Sequence, residues 1–193
     1  MGNQTELRVV DGRRQRSERS RAAIITATLN LIDSGNYAPT TREIAQEAGI
    51  GLRSFFRHFE DMEALMEAID QKMRQYYEPL FDRDFQAGEL EARIEDTVIG
   101  LTDAYERLKN MMMITRVQLW RSEVLQKNYA RNQNGLRKHL EKWLPELKDV
   151  PEANREAAHA TASFETWDRL RWHQKLNISQ ARNAMIAALT AVL

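Results

Sequence analysis

The chain has 193 residues, 42 % of them hydrophobic, which is enough to bury the core of one large domain or two small ones. Lys+Arg and Asp+Glu balance at 28 each, so net charge does not point to nucleic acid, and the distribution of charge carries more information than its sum. No cysteine is present, which excludes disulfides, thiol nucleophiles and thiolate metal sites and fits a reducing cytoplasm.

Glycine (8) and proline (4) are sparse and no segment reads as strand-rich, so the expected fold class is all-α. The N-terminal MGNQTELRVV lacks a signal-peptide apolar region, and Glu6 stands where a myristoylation pattern needs Ser or Thr. No stretch approaches the roughly 18 apolar residues of a membrane span. The expected location is the cytoplasm, with no membrane partner.

Residues 1–16 show no periodicity and carry Arg8, Arg13, Arg14 and Arg16, which reads as a flexible basic arm. A first helix is expected over Ser17 to Ser34, with Ile25, Thr28, Leu29 and Ile32 on one face and Gly35 ending it. Thr40 followed by Glu43 is a capping box that opens a second, short helix. Thr41, Ile44, Ala45 and Ala48 form its apolar face, and Gly49 can take the left-handed conformation that stops it. After Gly51, Leu52, Phe55, Phe56 and Phe59 repeat the same spacing in a third helix.

A longer helix follows from about Asp61, with Pro79 expected to kink or end it, and DFQAGE (84–89) reads as a break. A helix over 88–108 and a separate Met-rich helix over 110–120 come next. Ser122 is placed to cap a long helix that ends near Pro145, and LKDVPEAN reads as a loop. Two last helices are expected over 152–174 and 178–192.

A helix of eight residues is marginal in water on its own. Two such helices joined at a glycine-containing turn can bury their apolar faces against the first, which is the three-helix helix-turn-helix unit. That arrangement leaves the outer face of the third helix free to enter a major groove, with Arg53, Ser54, Arg57 and His58 as hydrogen-bond donors. A small helical subdomain with an ordinary solvated surface would carry the same residues.

The stretch TTREIAQEAGIGLRSFFRHFEDMEAL, residues 40–65, resembles the TetR-type transcriptional regulators. The similarity covers residues 17–65; beyond that it extends only to helix layout and length. It implies an N-terminal helix-turn-helix head over 17–61 behind the arm of 1–16. It also implies a larger C-terminal helical bundle over 62–193 for ligand binding and dimerisation. By resemblance Thr40 and Thr41 touch phosphate at a helix N-terminus, and Arg42 reaches a base or phosphate. Leu52, Arg53 and Ser54 face the groove, and Arg57 and His58 sit on the backbone side. An arm carrying Arg13, Arg14 and Arg16 can reach the minor groove.

Two positions depart from the family pattern. Phe56 stands in place of the usual tyrosine, and Met62 in place of the usual lysine, so a hydroxyl and a charge toward phosphate are missing. Phe56 is carried over to the DNA-binding set, with a core position beside Phe59 as the alternative.

The implied protein is a homodimeric regulator of double-stranded operator DNA, a repressor released by a small hydrophobic effector. The alternative is a helical ligand-binding or protein-interaction module with weakened, non-specific DNA binding. Candidate effector-pocket residues are Tyr105, Met112, Met113, Gln118, Trp120, His139, Trp143, Phe164 and Trp167, with Asn132 and Trp172 as further candidates. The Ala-rich stripe Ala181, Ala184, Met185, Ala188, Leu189 and Val192 is expected at the dimer interface, with an internal packing face as its alternative. The four histidines form no His-x-x-x-His pair, and no Gly-x-Ser-x-Gly elbow or phosphate-cradling loop occurs. No metal, no cofactor and no enzymatic activity are therefore expected.

Overall fold

The computed structural model describes residues 3–82 and 88–193, with side chains from residue 12 onward except at residue 13. Among these residues the structure is helical, with no strand. The helices are α1 (Asn3–Asp33), α2 (Thr41–Glu47), α3 (Leu52–His58), α4 (Met62–Phe81), α5 (Leu90–Gln118), α6 (Glu123–Trp143), α7 (Glu152–Thr161), α8 (Phe164–Asp168) and α9 (Ile178–Val192). Short 3₁₀ turns follow α5 and α6, and a π-helical turn, Arg169–His173, follows α8.

The chain divides into two compact units, residues 1–72 with 113–127, and residues 73–112 with 128–193. In the first unit α1, α2 and α3 pack around Ile24, Ile32, Ile44 and Phe55, all fully buried, and the start of α4 adds Leu65 and Ile69. Burying a side chain of this size stabilises the fold by about 1.5–3 kcal/mol. The segment 113–127 is bound to the same unit by two polar contacts. Gln118 Nε2 donates to the Tyr37 carbonyl at 2.8 Å, and the Val124 amide donates to Glu63 Oε2 at 3.0 Å.

The second unit is built on α5, whose Ile94, Val98, Leu101 and Tyr105 are buried, together with Leu140 and Leu144, Ala158 and Trp167. Arg93 lies buried against the C-terminal end of α6, forms a two-pronged ion pair with Glu146, and donates from Nε to the Gly88 carbonyl at 3.1 Å. Arg182 ties α9 to α5 through Asp103 (2.6 Å) and the Thr102 hydroxyl (2.8 Å).

Four expectations need correction. The stretch 3–16 is helical and continuous with α1, because Gln, Glu and Arg are good helix formers and extend a helix already nucleated by the apolar face downstream. Residues 90–118 form one helix rather than two, since nothing around Asn110 interrupts the backbone ladder. Pro79 falls in the last turn of α4, where the helix continues two residues further to Phe81. The helix expected over 152–174 stops at Thr161, and Ser163 starts α8 by accepting the Thr166 amide at 3.2 Å. The break at 84–89 falls largely outside the described residues.

Candidate nucleic-acid interface

Thr40 has extended backbone and holds both halves of the capping box. Its hydroxyl accepts the Glu43 amide at 3.2 Å, and its own amide donates to Glu43 Oε2 at 2.7 Å. The hydroxyl also donates to that carboxylate at 2.7 Å. The Thr40 backbone and hydroxyl bonds hold the Glu43 carboxyl below the usual carboxylate range. A carboxylate therefore already lies over the α2 N-terminus, the place a phosphate would take. Thr41 is half-buried and Arg42 exposed. Gly49 takes φ +66 and turns the chain toward α3.

On α3, Phe55 and Phe59 face inward, with ring centroids 6.1 Å apart. Phe56 does not join them: its ring is 49 % exposed and meets Phe55 edge-on at 5.3 Å. The core alternative for Phe56 is thereby overturned, and Leu52, 40 % exposed, also leaves the apolar stripe. Both are displaced because α3 buries only a narrow face, the one carrying residues 55 and 59. Arg53 and Arg57 are exposed, and Arg57 Nη2 donates to the half-buried Ser54 hydroxyl at 3.1 Å. Gly51, Arg53, Ser54, Phe56 and Arg57 rim one open hollow.

His58 is half-buried, and its Nε2 has no hydrogen-bond partner among the described residues. Burial first, then the Arg57 and Arg21 charges, push its pKa below the ordinary histidine value. Its surroundings therefore favour the neutral imidazole over the charged one. A cation that the sequence reading missed takes that place: Arg21, on α1, lies 4.9 Å over the Phe59 ring. Its signal is its position on the arginine-bearing face of α1, not any motif. Arg14 and Arg16 are exposed on α1, where Arg14 pairs with Glu18 at 3.1 Å and Arg16 donates to the Gly12 carbonyl at 3.1 Å. The Arg13 side chain lies outside the described residues.

Residues 24–69 match the family model for bacterial regulatory proteins of the tetR family. This segment matches the tetR-family helix-turn-helix, and the chain as a whole is an all-helical fold with that head at its N-terminus. Two solved structures share that fold along nearly the whole length. One is the multidrug binding protein EbrR complexed with imidazole, at 16 % identity, TM-score 0.64, over 93 % of this chain and 90 % of that one. The other is a transcriptional regulator from Rhodococcus sp. Rha1, at 16 % identity, TM-score 0.66, over 92 % of this chain and 95 % of that one. Among curated protein sequences, none matches this chain.

The fold distributes the expected effector residues between both units. Met113, Gln118 and Trp120 belong to the first. Gln118 is buried and engaged by Tyr37 and Arg121, and Trp120 is 78 % exposed. In the second unit Tyr105 is buried, donates its hydroxyl to the Ala162 carbonyl at 2.5 Å, and meets Phe164 at 5.7 Å. Phe164 and Trp167 line a cleft of about 280 Å³. Met112 is half-buried, His139 stacks on Trp143 at 5.4 Å, and Asn132 is exposed.

The expected interface stripe on α9 needs a correction as well. Ala181, Met185 and Leu189 are fully buried within the single chain, so they pack internally. Ala184, Ala188 and Val192 keep some exposure, and the outward face adds Ala187 and Ala191. The reason is the 3.6-residue period: positions four apart share the inner face, and the alanines beside them point away. No helix of the described residues is long and apolar enough to cross a membrane.

Proposed function

We propose that this chain is a homodimeric, sequence-specific DNA-binding transcriptional regulator of the cytoplasm, a repressor released by a small hydrophobic effector. The observation that carries the proposal is the edge of α3. Phe55 and Phe59 anchor the helix from within, while Arg53 and Arg57 stand exposed beside Ser54. An arginine so presented can pair its planar fork with guanine O6 and N7 in the major groove. Arg42, Arg21 and the other arginines of α1 would add phosphate contacts that fix register without reading sequence.

Dimerisation supplies the second reading head that a palindromic site requires, about 34–36 Å or more away. The alanines at 184, 187, 188 and 191 give α9 an outward face that a second helix can approach closely. Effector release needs a ligand that binds one arrangement of the heads better than the other. Only three residues separate α3 from α4, so a tilt of α4 would carry Arg53 with it.

A second reading, non-specific DNA binding by a helical ligand-binding or protein-interaction module, draws support from Phe56, Met62 and the lowered pKa of His58. A mobility-shift titration of the full chain with duplex from its own upstream region, at low and moderate salt, separates the two. Saturable, sequence-dependent retention with dimer stoichiometry supports the regulator. Retention that disappears with salt and ignores sequence supports the second reading.

A further inference from the structure

We infer that the cleft beside α8 and the π-helical turn binds a small planar aromatic carboxylate, not a neutral hydrophobe. The cleft of about 280 Å³ lies wholly within the second unit, between α5 and the 164–175 segment. Its volume is at the lower edge of the roughly 300–1,000 Å³ common for small-molecule sites, which suits one or two fused rings. Its floor is aromatic, formed by Phe164 and Trp167, both buried, and Trp172, which is 59 % exposed.

The charges around it are unevenly partnered. The Glu106 carboxylate is already taken, accepting from Trp167 Nε1 at 2.9 Å and from Arg171 Nε at 3.3 Å. Arg171 spends a further donor on the Leu176 carbonyl at 2.7 Å. Asp168, the other acid of the cleft, is buried. Among the described residues Lys109 and Lys175 have no carboxylate partner: their ammonium groups lie 5.2 and 4.6 Å from the centre of one ring, that of Trp172. Two ammonium groups beside one indole concentrate positive potential at this end of the cleft, and an anion bound there would neutralise it. A flat aromatic anion meets both features, because its ring packs against the apolar lining of the cleft while its carboxylate faces the ammonium groups.

The backbone adds an independent sign. Lys175 has φ +58, the left-handed region that glycine occupies at little cost. It lies two residues beyond the end of a π-helical turn, a feature frequent at functional sites. A lysine held there supplies an ammonium group that glycine would not, at the expense of strain.

Calling the ligand an effector rests on the regulator reading; binding itself does not. The test is calorimetric titration of the full-length protein with benzoate, benzamide and benzylammonium, without DNA. Benzoate is expected to bind at least ten-fold tighter than benzamide, with no detectable binding of benzylammonium. In a Lys109→Gln/Lys175→Gln variant that retains its helical circular dichroism, the benzoate preference is expected to vanish. Trp172→Phe is expected to weaken all binding several-fold. Equal affinity for benzoate and benzamide, preference for benzylammonium, no binding of any of the three, or a double variant that still prefers benzoate would each overturn the inference. Sequence-specific DNA binding is measured separately, so losing this site leaves the regulator reading standing, and losing DNA binding leaves the site standing.

Discussion

Replacing Arg53 with alanine tests the reading surface most directly. The side chain is exposed and makes no hydrogen bond or ion pair with the described residues, so its removal leaves nothing behind unpaired. Surface changes of that kind alter folding stability by about 0.5 kcal/mol or less. A bidentate guanine contact contributes about 1–3 kcal/mol of discrimination, which converts to roughly a five- to 150-fold loss in affinity for each half-site of the specific site. Sequence-blind duplex should lose much less.

Arg57 provides the contrast, since one of its donors is spent on Ser54 and it suits a phosphate role. Arg57→Ala should weaken binding to every sequence and lower the salt slope by about 0.9 per subunit, whereas Arg53→Ala should lower discrimination with little change in slope. Arg53→Lys keeps the charge and loses the fork, so it should behave like the alanine variant on specificity. The assay is fluorescence anisotropy on an operator selected from random duplex, at two salt concentrations, beside a scrambled duplex. An Arg53→Ala protein that folds normally and binds the operator as tightly as the parent refutes the assignment.

Three further outcomes are expected. Phe56→Tyr restores a hydroxyl on a ring that is 49 % exposed, and should tighten operator binding a few-fold without changing the thermal midpoint, as read by anisotropy and melting. Tyr105→Phe removes the donor to the Ala162 carbonyl at a fully buried site and should cost about 1–3 kcal/mol in urea unfolding. Glu146→Gln breaks the ion pair to Arg93. A fully buried pair costs about 3–5 kcal/mol to break, but the Glu146 side chain is 35 % exposed, so about 1–2 kcal/mol is expected at pH 7. Because Arg93 holds the Glu146 carboxyl below its ordinary value, the wild-type contribution is full above the ordinary carboxylate range. It fades as pH falls through the depressed value, so the two proteins should converge in acid urea titrations.

Local chemistry was legible in the residues. The Thr40–Glu43 box, the left-handed Gly49 and the Ser122 cap, whose hydroxyl accepts the Leu125 amide at 3.1 Å, each follow from a few neighbouring side chains. What was not legible depends on what a helix packs against. Phe56 continues the apolar spacing of α3 and is still exposed, because the unit has room behind residues 55 and 59 only. The stripe on α9 has the small residues of a helix–helix contact, yet Ala181, Met185 and Leu189 face their own chain. Periodicity names a face and not its neighbour. The lysine pair at Trp172 was equally invisible, since Lys109 and Lys175 meet only in the folded unit.

The course of the long helices bears on protein engineering. α4, α5 and α6 each pass from one compact unit into the other, and residues 113–127 return to the head to bind Tyr37 and Glu63. A chimaera that grafts this head onto another regulator by a single splice after α3 would strip away Ile114 and Leu125, buried pieces of the donor. A working graft has to transplant 113–127 along with the first 72 residues, as two separate inserts.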